Sequence, residues 1–122
     1  MSQTILILDD SEIVLDVSRK YLEDAGYHVI TASTVDELES IQNVRDVDLI
    51  LLDVQMPELF GDDIGMVLRS VRGVTAPIVL FSTLEKDELQ QRAREAQLDG
   101  FISKNEGLDA LVALVRQFLP ES

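Results

Sequence analysis

Five polar residues stand directly after, or one position past, short apolar runs. Asp9 and Asp10 follow Ile5-Leu6-Ile7-Leu8, Asp53 follows Leu49-Ile50-Leu51-Leu52, Ser82 follows Ile78-Val79-Leu80-Phe81, and Lys104 follows Phe101-Ile102-Ser103. If these runs are parallel strands of one sheet, their carboxyl ends meet along one edge, where ligands of open α/β sheets bind. Three carboxylates gathered there would raise one another's pKa unless a cation neutralised them. Magnesium suits such a cluster better than calcium, because it usually takes one or two carboxylates plus waters and phosphate oxygens. The Ser82 hydroxyl and the Lys104 ammonium add a receptor for an oxyanion. A carboxylate nucleophile, a hard cation, an ammonium and a hydroxyl meet the needs of phosphoryl transfer, in which positioning and charge stabilisation do most of the catalysis.

The elements that must position these residues show as short apolar runs alternating with longer stretches of helical spacing, the pattern of repeated strand-helix units. Strands are expected at residues 4–8, 28–31, 49–52, 78–81 and 101–103. The unbroken runs at 5–8 and 49–52 mark strands covered on both faces, and therefore central ones. The fold expected is a doubly wound α/β one, a five-stranded parallel sheet with helices on both faces; if its order is 2-1-3-4-5, strands 1 and 3 flank the crevice where ligands bind. The first helix is capped by Ser11 and stops at Gly26, with Ile13, Val14, Val17 and Tyr21 as its core face. Thr34 and Glu37 form a capping-box pattern for the second, ahead of Leu38 and Ile41. The third runs over about residues 62–71, with Asp62 and Asp63 at its positive end. The fourth, around 86–96, has only Leu89, Ala93 and Ala96 to bury, and is expected to be the least firmly held element. The fifth carries Leu108, Leu111, Val112, Val115 and Phe118 on one stripe, with Leu114 off it.

Composition narrows the field. A length of 122 residues suits one domain, expected over 1–122, and 46% hydrophobic with 27% charged residues is a globular balance rather than that of a disordered tail. The absence of cysteine excludes disulfides and thiolate metal sites. A net charge of −13 opposes binding to nucleic acid or anionic lipid. The charge is uneven, −10 over residues 1–83 and only −3 over 84–122. No apolar run approaches the roughly 18 residues of a membrane span, and Met1-Ser2-Gln3-Thr4 has no basic region, so a cytoplasmic protein is expected.

In order and spacing, Asp9-Asp10, Asp53 with Met56-Pro57 and Gly61, Ser82 and Lys104 resemble the receiver domains of bacterial response regulators, over essentially the whole chain. The resemblance implies a flavodoxin-like fold and a signalling switch rather than an enzyme acting on other molecules. It implies Asp53 as phosphoacceptor, Asp10 as a direct Mg2+ ligand, Asp9 as a ligand through water, and the Gln55 backbone carbonyl as a further ligand. Ser82 and Lys104 would hold the phosphoryl oxygens, and Phe101 would be the aromatic that changes rotamer with the switch. The phosphodonor would be a histidine kinase or phosphotransfer protein. Output would pass to a protein or effector domain, or to a second copy in a homodimer, through helix 4, strand 5 and helix 5.

Each residue also has an ordinary reading. Asp9-Asp10 could cap a helix, Ser82 and Thr83 could cap the fourth, Lys104 could be a solvated lysine, Phe101 could be core, and His28 is structural. A docking module of this fold that works without phosphate is the alternative, but it has no need of three crowded carboxylates. A small metal-dependent phosphatase of the haloacid dehalogenase type needs a second aspartate two residues past the nucleophile, where this chain has Gln55. Three positions depart from the commonest receiver pattern: Asn105 where proline is usual after the lysine, Thr83 where alanine or glycine is usual, and Gln55 at a variable position. Without proline, the Lys104-Asn105 bond is expected to be trans, with Gly107 absorbing the altered path.

Overall fold

In a computed structural model, residues 3–56 and 61–120 are described; Pro57 of the motif lies outside them. Five strands, β1 (Thr4–Leu8), β2 (His28–Ala32), β3 (Leu49–Leu52), β4 (Ile78–Ser82) and β5 (Gly100–Ser103), form one parallel sheet in the order β2-β1-β3-β4-β5. β2, β4 and β5 each run one residue longer than expected. The helices are α1 (Glu12–Asp24), α2 (Val35–Glu39), α3 (Gly61–Ser70), α4 (Lys86–Glu95) and α5 (Leu108–Phe118).

Alternation along the central strands divides the core in two. Leu6, Leu8, Ile50, Leu52, Ile78 and Leu80 face α2, α3 and α4 through Leu38, Ile64, Leu68, Leu89 and Ala93. Ile5, Ile7, Leu49, Leu51, Val79 and Phe81 face α1 and α5 through Leu15, Leu22, Leu111 and Val115. An uninterrupted apolar strand thus feeds both cores.

The α1 assignment is corrected. Its buried residues are Leu15, Ser18 and Leu22, whereas Ile13 is 76%, Val17 40% and Tyr21 43% exposed, with only Val14 of the expected set partly buried. Two apolar stripes overlap on this helix, and the polar Ser18 sits in the middle of the one that faces the sheet. Ser11 caps α1 as expected, accepting from the Val14 N–H, and Gly26 takes φ 104° beyond its end.

At α2, Thr34 accepts from the Glu37 N–H, but the Glu37 carboxylate reaches past it to the Ser33 N–H (2.6 Å) and hydroxyl (2.7 Å), which hold that carboxyl below its ordinary pKa. Neither Ser82 nor Thr83 caps α4; its N-cap is Glu85, without a side-chain hydrogen bond. α4 buries little beyond Leu89 and Ala93, and Arg92 ties it to Asp62 of α3 at 3.2 Å. At the opposite end of the sheet, Arg69 donates to the Val74 and Ala76 carbonyls and pairs with Asp99, whose carboxylate accepts from the Ile78 N–H.

The corrected α1 face has a direct consequence. Leu15→Ala should cost about 2–5 kcal/mol in a denaturant titration, and Ile13→Ala should stay within about 0.5 kcal/mol of the parent. Equal losses for the two would contradict the burial described.

Candidate functional site

Parallel register brings the ends of the middle strands to one height. Leu8 lies opposite Leu52, and the Asp53 N–H continues the ladder by donating to the Leu8 carbonyl at 2.9 Å. The Asp9 N–H does the same on the other side of β1, donating to Ala32 at 3.1 Å. Asp9, Asp10 and Asp53 therefore meet at one edge, each offering a carboxylate oxygen within 4.8 Å of the others. Asp9 is fully buried and Asp53 is 4% exposed, while Asp10 faces solvent.

Lys104, just past β5, sends its ammonium to Asp9 Oδ2 at 2.5 Å and Asp53 Oδ2 at 3.5 Å, and lies 5.5 Å from the centre of the Phe81 ring. The other oxygens are held locally: Asp9 Oδ1 accepts from the Ser11 N–H (2.9 Å) and Asp53 Oδ1 from the Gln55 N–H (3.1 Å). Burial holds the Asp9 carboxyl above its ordinary pKa; the Lys104 ammonium and the Ser11 amide oppose that rise, and the Asp53 charge adds to it. An all-oxygen set that is crowded, acidic and partly desolvated fits a hard divalent cation.

Ser82, fully buried at the end of β4, is opposite Ser103 of β5. Its hydroxyl lies 3.5 Å from Gln55 Oε1, and it accepts from the Leu84 N–H at 3.4 Å. Phe101 is partly buried on β5 and lines a groove of about 470 Å³ between α4 and α5, together with Lys86, Gln90 and Leu114. Leu114 is partly exposed there. His28 opens the edge strand β2 and is exposed, away from the acidic cluster.

The structure thus assembles Asp9, Asp10, Asp53, Gln55, Ser82 and Lys104, with Phe101 set apart on the groove. The Lys104-Asn105 bond is trans, since the described residues contain no cis peptide, and Gly107 takes φ 93°. The lysine still reaches both carboxylates.

Three contacts escaped the reading of the sequence. Residues Lys104–Glu106 form a 3-10 turn held by a capping box, in which Ser103 accepts from the Asn105 N–H while Glu106 accepts from the Ser103 N–H. Glu106 also pairs with Lys86 of α4 at 3.5 Å. The spacing of Ser103 and Glu106 carried that signal. Thr83 donates its hydroxyl to Gln55 Oε1 at 3.0 Å, which nothing in the sequence foretold.

Comparison with known proteins agrees with this geometry. The family described as the response regulator receiver domain matches residues 5–116. The chain is 32% identical to the transcriptional regulatory protein KdpE of Mycobacterium tuberculosis over 113 residues, covering 92% of this chain and 49% of that protein. To the polar-differentiation response regulator DivK of Brucella ovis it is 22% identical over the full length of both. Relative to KdpE, and likewise to PhoP of Bacillus subtilis, the chain spans about half the length of the curated relative. The chemotaxis response regulator CheY4 of Vibrio cholerae superposes with a TM-score of 0.85 at 27% identity, covering 97% of this chain and 99% of that one. The response regulator DrrB of Thermotoga maritima does so at 0.85 and 25% identity, covering 98% and 54%. No helix among the described residues is long and apolar enough to cross a membrane. Sheet order, acidic edge and a family match over nearly the whole chain together show that this protein belongs to the response regulator receiver domains of two-component systems.

Proposed function

We propose that the chain is a phosphorylation-controlled switch, a single receiver domain over 1–122, and that Asp53 accepts the phosphoryl group. The observation that carries this reading is the position of Asp53: a buried carboxylate at the carboxyl end of β3, with the Lys104 ammonium 3.5 Å away and two further carboxylates beside it. A histidine kinase or phosphotransfer protein is the donor. An Asp53 oxygen attacks phosphorus, the phosphorus–nitrogen bond of the donor's phosphohistidine breaks, and the imidazole leaves neutral, keeping the proton already on its other ring nitrogen. The product is an acyl phosphate. Asp10 and Asp53, Asp9 through water, and the Gln55 carbonyl would hold Mg2+, which neutralises phosphoryl charge when bound. Lys104 and Ser82 hold the phosphoryl oxygens, and Lys104 leaves Asp9 in part to do so.

The donor has an apolar surface to meet. Exposed Ile13 and Val17 lead into a groove of about 250 Å³ lined also by Phe81, Leu108 and Lys104 itself, so a helix seated there lies beside the phosphoryl site. The output surface is the groove of α4, β5 and α5, where Phe101 and Leu114 are accessible and the local net charge is low. An effector or a second copy of the chain would dock there. This is a cytoplasmic protein-protein switch, with no direct contact to nucleic acid.

Incubation with acetyl phosphate and Mg2+ should give a single phosphoryl adduct by mass spectrometry, lost in Asp53→Asn; an adduct that survives this substitution would overturn the assignment. Magnesium should bind at about millimolar affinity or weaker, because few protein ligands and reluctant dehydration limit it. An NMR titration should show that binding lost in Asp10→Ala, and a mutant that titrates as the parent does would sink the ligand set. Amide exchange with and without a phosphoryl mimic should change most between Leu84 and Lys104, whereas a change confined to α1 and α2 would remove α4, β5 and α5 as the output surface.

A further inference from the structure

Beside the phosphoryl site, two side chains close a contact across the loops after β3 and β4. Gln55 Oε1 accepts from Thr83 Oγ1 at 3.0 Å and lies 3.5 Å from Ser82 Oγ, while the Gln55 backbone N–H donates to Asp53 Oδ1 at 3.1 Å. Gln55 and Thr83 are exposed, and Ser82 is fully buried beneath them. A serine hydroxyl has one proton and gives it to one acceptor at a time. In the resting chain Gln55 Oε1, a carbonyl oxygen with two acceptor sites, one of them filled by Thr83, stands 3.5 Å from that hydroxyl. Both contacts of the Ser82 hydroxyl are long, 3.5 Å to Gln55 and 3.4 Å from the Leu84 N–H.

We propose that Gln55 and Thr83 form a resting-state clasp on Ser82, competing with a phosphoryl group on Asp53 for the Ser82 proton. The inference rests on Asp53 as phosphoacceptor and deepens it. Thr83 is a positioning residue: it touches neither the nucleophile nor the phosphoryl group, and acts by fixing the Gln55 amide over Ser82. When a phosphoryl group arrives, the Ser82 O–H leaves Gln55 Oε1 and turns to a phosphoryl oxygen. No covalent bond changes in this step. Because Leu84 follows the Ser82-Thr83 turn and leads into α4, release of the clasp also frees the segment that begins the output surface. A threonine where alanine or glycine is usual thereby biases this chain toward its resting form.

The test uses beryllofluoride, a non-covalent phosphoryl mimic, with Mg2+ present. Thr83→Val keeps the shape and removes the hydroxyl; it should tighten beryllofluoride binding by about twofold to threefold, the low end of an ordinary hydrogen bond, because the Ser82 contact it loosens is long. Thr83→Ser keeps the hydroxyl and should bind as the parent does. In a Ser82→Ala background the Thr83→Val gain should vanish, since no serine proton is left to release, and a purely structural effect would not depend on Ser82 in this way. Gln55→Ala should reproduce the gain from the other side of the contact, without adding to it in the double variant. Unchanged or weaker binding by Thr83→Val, or a gain that persists without Ser82, overturns the clasp while leaving the phosphoacceptor reading intact. A parent chain that binds no beryllofluoride at saturating Mg2+ overturns both.

Discussion

The Lys104 ammonium lies between two buried carboxylates, and the rest of the molecule is arranged around that contact. Asp9 and Asp53 are nearly without solvent, and burial holds the Asp9 carboxyl above its ordinary pKa. A chain with a net charge of −13 has little positive potential to spare for them. The counter-charge comes from β5, two strands away from β3 in the sheet, on a stem long enough to cross the end of β4 over Phe81. Parallel pairing makes this reach possible, because it sets all the carboxyl ends on one side. Antiparallel placement of β1 or of β3 would carry the acids that follow it to the far end.

Charge at that edge connects to the outer surface through two short segments. Ser82-Thr83-Leu84 runs from the end of β4 directly into α4, and the 3-10 turn after β5 carries Lys104 at its start and Glu106 at its end, the latter paired with Lys86 on α4. Both segments lead to α4. That helix buries few apolar side chains, so polar ties hold much of it: Arg92 to Asp62, and Lys86 to Glu106. Polar ties at a partly exposed surface are individually weak.

Much of this was legible in the sequence because the buried strands and their terminal residues obey short-range rules. Ile5 to Leu8 and Leu49 to Leu52 have no polar interruption, and the acids that follow them can go nowhere but the strand ends. The α1 face was not legible. Ile13, Val17 and Tyr21 make a better apolar series than Leu15, Ser18 and Leu22, and only tertiary packing decides which series meets the sheet. An exposed apolar stripe is invisible to periodicity, which assumes that apolar residues are buried. The clasp of Gln55 and Thr83 joins residues 28 positions apart through side-chain atoms, a distance over which spacing carries no information. The turn after β5 was half visible: the trans bond and Gly107 were expected, but the capping box that shapes the turn was not.

The most direct measurement of the central claim is a double-mutant cycle on Lys104 and Asp9 by chemical denaturation without divalent cation. Lys104→Met strands two carboxylates at a dry sheet edge and should cost about 2–3 kcal/mol, in the range of a charged hydrogen bond. Adding Asp9→Asn removes one of the stranded charges and should recover most of that loss. If Lys104→Met is as stable as the parent, or if Asp9→Asn deepens the loss, the ammonium is not what holds the acidic edge together.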